Sequence, residues 1–254
     1  MFFAKAGKYQ ACKLFTSGHF ALIIATFACI AIALKKTIHK SKEDVYKIIR
    51  NLTIVLVLLE IFKIWFTLQD FKIINVKEWV PLYYCSLLLY AGLLSSFTKG
   101  KLKRVGDVFL ATGSIVGGLV FILFPTTSLP TYPVFHFISI HSFFFHGVMV
   151  YLTLLVNKTH YIELKKKDVL YFASLVGVVC IAALIVNNIF NSNLMFISMD
   201  FPNTPITILY KLTGKLFTPM MIIGQMIIPF YAVYIIIELF NKYKEKGKQK
   251  NSNC

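Results

Sequence analysis

The sequence predicts an all-α, polytopic membrane protein: a seven-transmembrane-helix bundle, one domain over residues 1–254, with its N-terminus outside and its C-terminus cytoplasmic. Three observations predict it. Apolar residues make up 57% of the chain and charged residues 15%, against about 45–50% and about 25% in soluble domains. That balance excludes a soluble globular enzyme and a disordered chain. Seven separate segments approach the roughly 20 apolar residues that cross a bilayer. Lysine and arginine are also unequally shared between alternate loops, 19 on one side and 7 on the other, with Lys63 inside a segment. Positive charge collects on the cytoplasmic side, which sets the orientation.

Each element follows in order. Phe15–Leu34 is the first span; it runs into Lys35-Lys36 and lacks the small-residue cleavage site of a signal peptide. Ile48–Leu68 is the second, and it carries Glu60 and Lys63. Trp79–Phe97 is the third, with Cys85 near its outer end behind Pro81. Asp107–Phe124 is the fourth and stops at Pro125. Phe135–Val156 is the fifth and holds His141 and His146. Val169–Asn187 is the sixth. The longest loop, Asn188–Phe217, is external, aromatic and proline-bearing, and is expected to fold back onto the bundle mouth. Thr218–Phe240 is the seventh span, followed by a lysine-rich tail.

The net charge of +16 is read as loop lysines at a membrane surface. A nucleic-acid surface would gather the basic residues on one folded face, and no nucleic-acid partner is expected. Only Arg50 and Arg104 are arginine, a bias expected of an AT-rich bacterial genome. Of the five cysteines, Cys12, Cys29, Cys85, Cys180 and Cys254, no two have metal-ligand spacing. Neither a metal nor a cofactor is expected.

Ionisable groups inside spans are costly and point to function. Glu60, Lys63, Cys85, His141 and His146 all fall in the outer half or near the middle of the bilayer, so the polar centre opens outward. Glu60 and Lys63 are three residues apart and can pair on one helix face. That pair reads either as a structural ion pair holding span two in the bundle or as a group with a proton-relay or substrate-charge role. His146 continues a polar stripe with Ser139 and Ser142, whereas His141 lies about 140° round the helix. A nucleophilic cysteine needs a base within hydrogen-bond reach, and the span-five histidines are the bases available to Cys85.

Those segments carry a resemblance. Val80-Pro81-Leu82-Tyr83-Tyr84-Cys85 resembles the Pro-Leu-His-x-Cys motif of the YwaF family of bacterial integral membrane proteins. Phe124-Pro125, His146-Gly147 and Asn191-Ser192-Asn193-Leu194-Met195-Phe196 resemble its next landmarks, the last a Gly-Thr-Asn-Tyr-Met-Phe segment. Ser17-Gly18-His19 and Glu60 sit where that family has a Ser-x-x-His-like start and a glutamate. The family is similar to animal transmembrane protein 164, a cysteine-dependent phospholipid acyltransferase, and its wider fold resembles that of androgen-induced-protein-type lipid hydrolases. The resemblance implies a lipid acyltransferase or hydrolase in the cell membrane, acting on phospholipids through Cys85 and His146. Tyr83 replaces the family histidine before the cysteine, and Ser86 a frequent aspartate.

Counted from the segment starts, Cys85 is about as deep as His141, while His146 lies about 7–8 Å deeper. Resemblance therefore favours His146 as base and depth favours His141. Tyr84, Asn193 and Lys63 are the candidate donors to a tetrahedral oxyanion, and Glu60 is expected to orient a histidine or neutralise Lys63. The rival classes are a small-solute transporter or substrate-binding membrane subunit, built on Glu60, Lys63 and the histidines, and a non-catalytic lipid-binding protein.

Overall fold

A computed structural model describes residues 1–69, 75–202 and 204–252, with side chains through residue 243. Lys72, Cys254 and the side chains of the tail lysines from Lys244 onward lie outside the described residues. All regular structure among the described residues is helical. Six helices or helix pairs are long and apolar enough to cross a membrane, which makes this a multi-pass membrane protein in contact with lipid. Several of the sequence boundaries shift, and the third segment differs in kind.

Helix α1 (Ser17–Thr37) opens on Thr16, whose hydroxyl accepts from the His19 N–H. Helix α2 (Lys42–Leu68) begins six residues before the apolar run, because Ser41 caps it and Glu43 and Asp44 sit in its first turn. Both features favour a helix N-terminus.

The third segment does not form one long helix. A short α3 (Val76–Trp79) leads into extended backbone, a 3-10 turn at Tyr84–Ser86, and then α4 (Leu87–Phe97). Pro81 explains the break, since a residue before proline is held out of the helical region and Val80 is extended at φ −71°, ψ 124°. The helical stretch from Tyr84 to Phe97 is about 21 Å long at 1.5 Å per residue, short of a bilayer core of about 30 Å.

Helices α5 (Gly100–Ala111) and α6 (Gly113–Leu123) together make the next span, broken at Thr112, where φ is −131° and ψ −81°. Helix α7 (Phe137–Lys158) is the axis of the bundle and is buried along most of its length, against α1, α2, α5 and α6. Helix α8 (Val169–Phe190) ends on Asn191 in the left-handed conformation. The expected external loop holds a 3-10 turn at Leu194–Phe196 and the amphipathic α9 (Pro205–Thr213). Its return onto the bundle is visible, because Gln225 Nε2 donates to the Met195 carbonyl at 2.8 Å. Helix α10 (Phe217–Ser252) runs past Pro229 and packs on α8 and α6.

The lysine-rich end is tied together by buried acids. Lys103 donates to Asp107 at 2.7 Å and to the Tyr161 hydroxyl at 2.8 Å. Arg104 pairs with Asp168, which also accepts from the Lys165 N–H at 2.7 Å. These links join α5 to the α7–α8 connection and close that end of the bundle.

Candidate functional site

At the opposite end α2 finishes while α4 and α7 begin, so their polar residues meet there. Glu60 and Lys63 share a face of α2, and Lys63 Nζ donates to Glu60 Oε1 at 2.6 Å. Glu60 is buried at 5% exposure, so its charge needs that partner. Its other oxygen faces α7, with Oε2 3.8 Å from His141 Nε2. That gap exceeds a direct hydrogen bond but suits one bridging water. Both ring nitrogens of His141 are buried and lack a hydrogen bond.

His146 lies one and a half turns further along α7. Its Nδ1 is 2.7 Å from the Ser142 carbonyl oxygen. A carbonyl only accepts, so Nδ1 must carry the proton and the neutral ring keeps its lone pair on Nε2. That Nε2 is buried and has no hydrogen-bond partner. The ring is stacked on Phe121 of α6, with centroids 3.7 Å apart and planes 10° apart. The polar stripe thus acts on His146 through the Ser142 main chain, while the Ser139 hydroxyl turns away to the Pro133 carbonyl at 2.9 Å.

Cys85 sits in the 3-10 turn that opens α4 and is half-buried. Among the described residues no hydrogen bond joins Cys85 directly to either histidine.

The remaining candidates are placed differently. The Tyr84 ring fits a notch on α6: a Cβ at Gly117 would lie 3.1 Å from the ring, and one at Gly113 2.7 Å from the hydroxyl. That hydroxyl is buried without a hydrogen bond. Asn193 is engaged within its own loop, accepting from the Ser198 and Met199 N–H groups at 3.0 and 3.1 Å and donating to the Met199 carbonyl at 3.0 Å. The segment still borders the site, because Phe196 meets the Tyr83 ring at 5.7 Å. His19 is fully satisfied: Nδ1 accepts from the Phe15 N–H at 3.1 Å, and Nε2 donates to the Ile122 carbonyl at 3.0 Å. It joins the start of α1 to the end of α6.

Sequence reasoning missed Phe121 and the glycine face of α6. The available signal was the small-xxx-small spacing of Gly113 and Gly117, a pattern of close helix approach in membranes. Among the described residues, no group of three or more His, Cys, Asp or Glu could hold a metal ion.

A family model described as the TMEM164 family matches residues 14–240, a range that includes every candidate site residue. No curated protein and no solved structure matches the chain.

Proposed function

The chain belongs to the TMEM164 family, and from that premise we propose that it is an intramembrane lipid acyltransferase of the cell membrane, or a lipid hydrolase when water is the acceptor. The observation that carries this reading is the buried, unpartnered Nε2 of His146, whose tautomer is set by the Ser142 carbonyl. Leaving such a group without a partner costs about 1–3 kcal/mol, a cost that a general base would justify.

In the proposed reaction His146 Nε2 takes the Cys85 proton. The thiolate sulfur attacks the ester carbonyl carbon of a phospholipid, and a C–S bond forms. The tetrahedral oxyanion collapses, the ester C–O bond breaks, and the lysolipid leaves with the proton from His146. An acceptor hydroxyl then gives its proton to His146 and attacks the thioester. The new C–O bond forms, the C–S bond breaks and the thiol is reprotonated.

The alternative base is His141. Its favouring observation is Glu60, which faces His141 and not His146. We further propose that the short Tyr84–Phe97 helix with its extended lead-in makes a seventh pass, and that the N-terminus is outside, so that the site opens to the outer leaflet.

The test is an acyl-enzyme assay. Full-length protein in detergent is given phosphatidylcholine carrying a labelled acyl chain, and hydroxylamine-labile label is counted on the Cys85 peptide. Cys85→Ser should abolish it. His146→Ala should lower it by roughly the 10²–10⁴-fold typical of a general base. Full transfer by Cys85→Ala would overturn the reading, and solute uptake by reconstituted vesicles would then favour transport. Normal transfer by His146→Ala with loss in His141→Ala would move the base to His141.

A further inference from the structure

The apolar run Pro205–Tyr243 is 39 residues long. As one straight helix it would reach about 58 Å, nearly twice a bilayer core of about 30 Å. It is not straight. Gly214 takes φ +51° and ψ −119°, backbone angles that suit glycine, and a 3-10 turn at Gly214–Leu216 joins α9 to α10. Residues 217–240 of α10 alone span about 36 Å, enough to cross the core. Lys215 stands just before that stretch and Lys242 just after it, where charged side chains reach the edges of the hydrocarbon. Helix α9 therefore lies beyond the edge of the core. It is at the end that holds Glu60 and His141, because α8 starts from the lysine-rich end at Asp168 and runs away from it.

The surface of α9 is not that of a helix in water. None of its residues is buried. Ile208 is 64% exposed and Leu212 is 78% exposed, and four residues apart they share one face. The exposed apolar run continues through Leu216 into Met220, Ile223 and Ile227 of α10, a helix that lipid surrounds. The outer face of α9 thus prolongs a lipid-facing surface. Lys211 is exposed beside that face. An apolar face flanked by lysine on a short helix is the pattern of a helix lying in the membrane plane.

This helix is also tied to the candidate site. Thr204 caps it, accepting from the Ile206 N–H at 3.3 Å and donating to the Phe201 carbonyl at 2.6 Å. The Thr207 hydroxyl donates to the same carbonyl at 3.0 Å. The Phe201 ring meets Phe196 at 4.7 Å, and Phe196 meets Tyr83 at 5.7 Å. Tyr83 immediately precedes the turn that holds Cys85.

We propose that α9 is an interfacial helix whose partner is the phospholipid surface at the site end of the bundle. Ile208 and Leu212 enter the boundary between headgroups and acyl chains, and Lys211 stays among the headgroups. The loop beside Cys85 is thereby pinned twice, by Gln225 inside the bundle and by α9 at the membrane surface. The proposal rests neither on acyl transfer nor on which leaflet this is.

The test is a depth measurement on full-length protein in phosphatidylcholine vesicles. Leu212→Trp and Ile223→Trp are compared after subtracting the emission of native Trp65 and Trp79. Lipids carry bromine either near the headgroup end or near the tip of the acyl chains. Leu212→Trp should be quenched more by the shallow bromine than by the deep one, by about twofold or more, as fits a helix buried about 5–10 Å. Ile223→Trp, about 9 Å into α10, should show the reverse preference. Leu212→Trp quenched by aqueous acrylamide and by neither lipid would overturn the proposal, because α9 would then stand in water. A profile equal to that of Ile223→Trp would also overturn it, because α9 would then belong to the core. The unaltered chain is measured too, so that a misfolded variant cannot decide the result. A phosphatidylcholine with a photoreactive acyl chain should label Ile208 or Leu212, and a water-soluble succinimidyl ester should modify Lys211. Lipid labelling of α10 with none on α9 would overturn the proposal.

Discussion

The sharpest structural test of the site is Gly118→Ala. Gly118 is where α6 and α7 approach most intimately beside His146. A Cβ there would lie 2.8 Å from the His146 carbonyl oxygen, 2.8 Å from Val150 Cγ2 and 3.0 Å from Met149 Cβ. Unstrained carbon contacts are about 3.5–4.0 Å, so the two helices must separate by roughly 0.7–1 Å. Val150 Cγ2 could turn away, but the His146 carbonyl is part of α7 and cannot. Overpacking of this kind costs about 1–3 kcal/mol. The shift also lifts His146 from its stack on Phe121 and moves it relative to Cys85. A misplacement of about 1 Å near a reacting centre costs roughly 10²-fold in rate. Two assays check this: the thermal midpoint in detergent, expected to fall by a few degrees, and acylation of Cys85 by labelled phosphatidylcholine, expected to fall about 10²-fold. Gly118→Ala with wild-type stability and wild-type acylation would refute the close α6–α7 approach and the placement of His146 built on it.

Three further outcomes are expected. Arg104→Ala should destabilise the protein by about 3–5 kcal/mol, because it strands the enclosed Asp168 carboxylate; thermal unfolding of the pure protein measures this, and a shift under one degree would contradict it. His19→Ala should lower stability by about 1–3 kcal/mol through the unpaired Phe15 N–H and Ile122 carbonyl, yet leave Cys85 alkylation unchanged, which separates it from the α7 histidines. A reporter fused after the C-terminal residue should be cytoplasmic and one inserted at 126–132 external, as the 19-to-7 distribution of lysine and arginine requires; an external C-terminus would reverse the orientation.

What the sequence determined by itself is local. Runs of apolar residues become helices that lipid can accommodate, because every backbone group is satisfied within the helix. The Glu60–Lys63 bond was legible because residues three apart share a helix face. The break before α4 was written in Pro81, although the apolar run from Trp79 hid it from a count of hydrophobic residues. Cys85, His141 and His146 stood out as candidates because ionisable groups are rare inside spans, while their working together is a proposal.

Tertiary structure decided which helix faces meet. In a soluble helix the buried face is marked by an apolar stripe, but in lipid both faces are apolar and the stripe disappears. Nothing local to α2 announces that Glu60 looks at His141, and nothing local to α7 announces that Phe121 supports His146. Tyr84 finds its place in the notch of Gly113 and Gly117 only when the 3-10 turn before α4 is brought against α6. Arg104 and Asp168 are 64 residues apart, and their pairing depends on how α5 and α8 are brought together. In this protein small residues, close packing and a few buried polar bonds select the helix partners, because hydrophobicity cannot distinguish a neighbouring helix from the surrounding lipid.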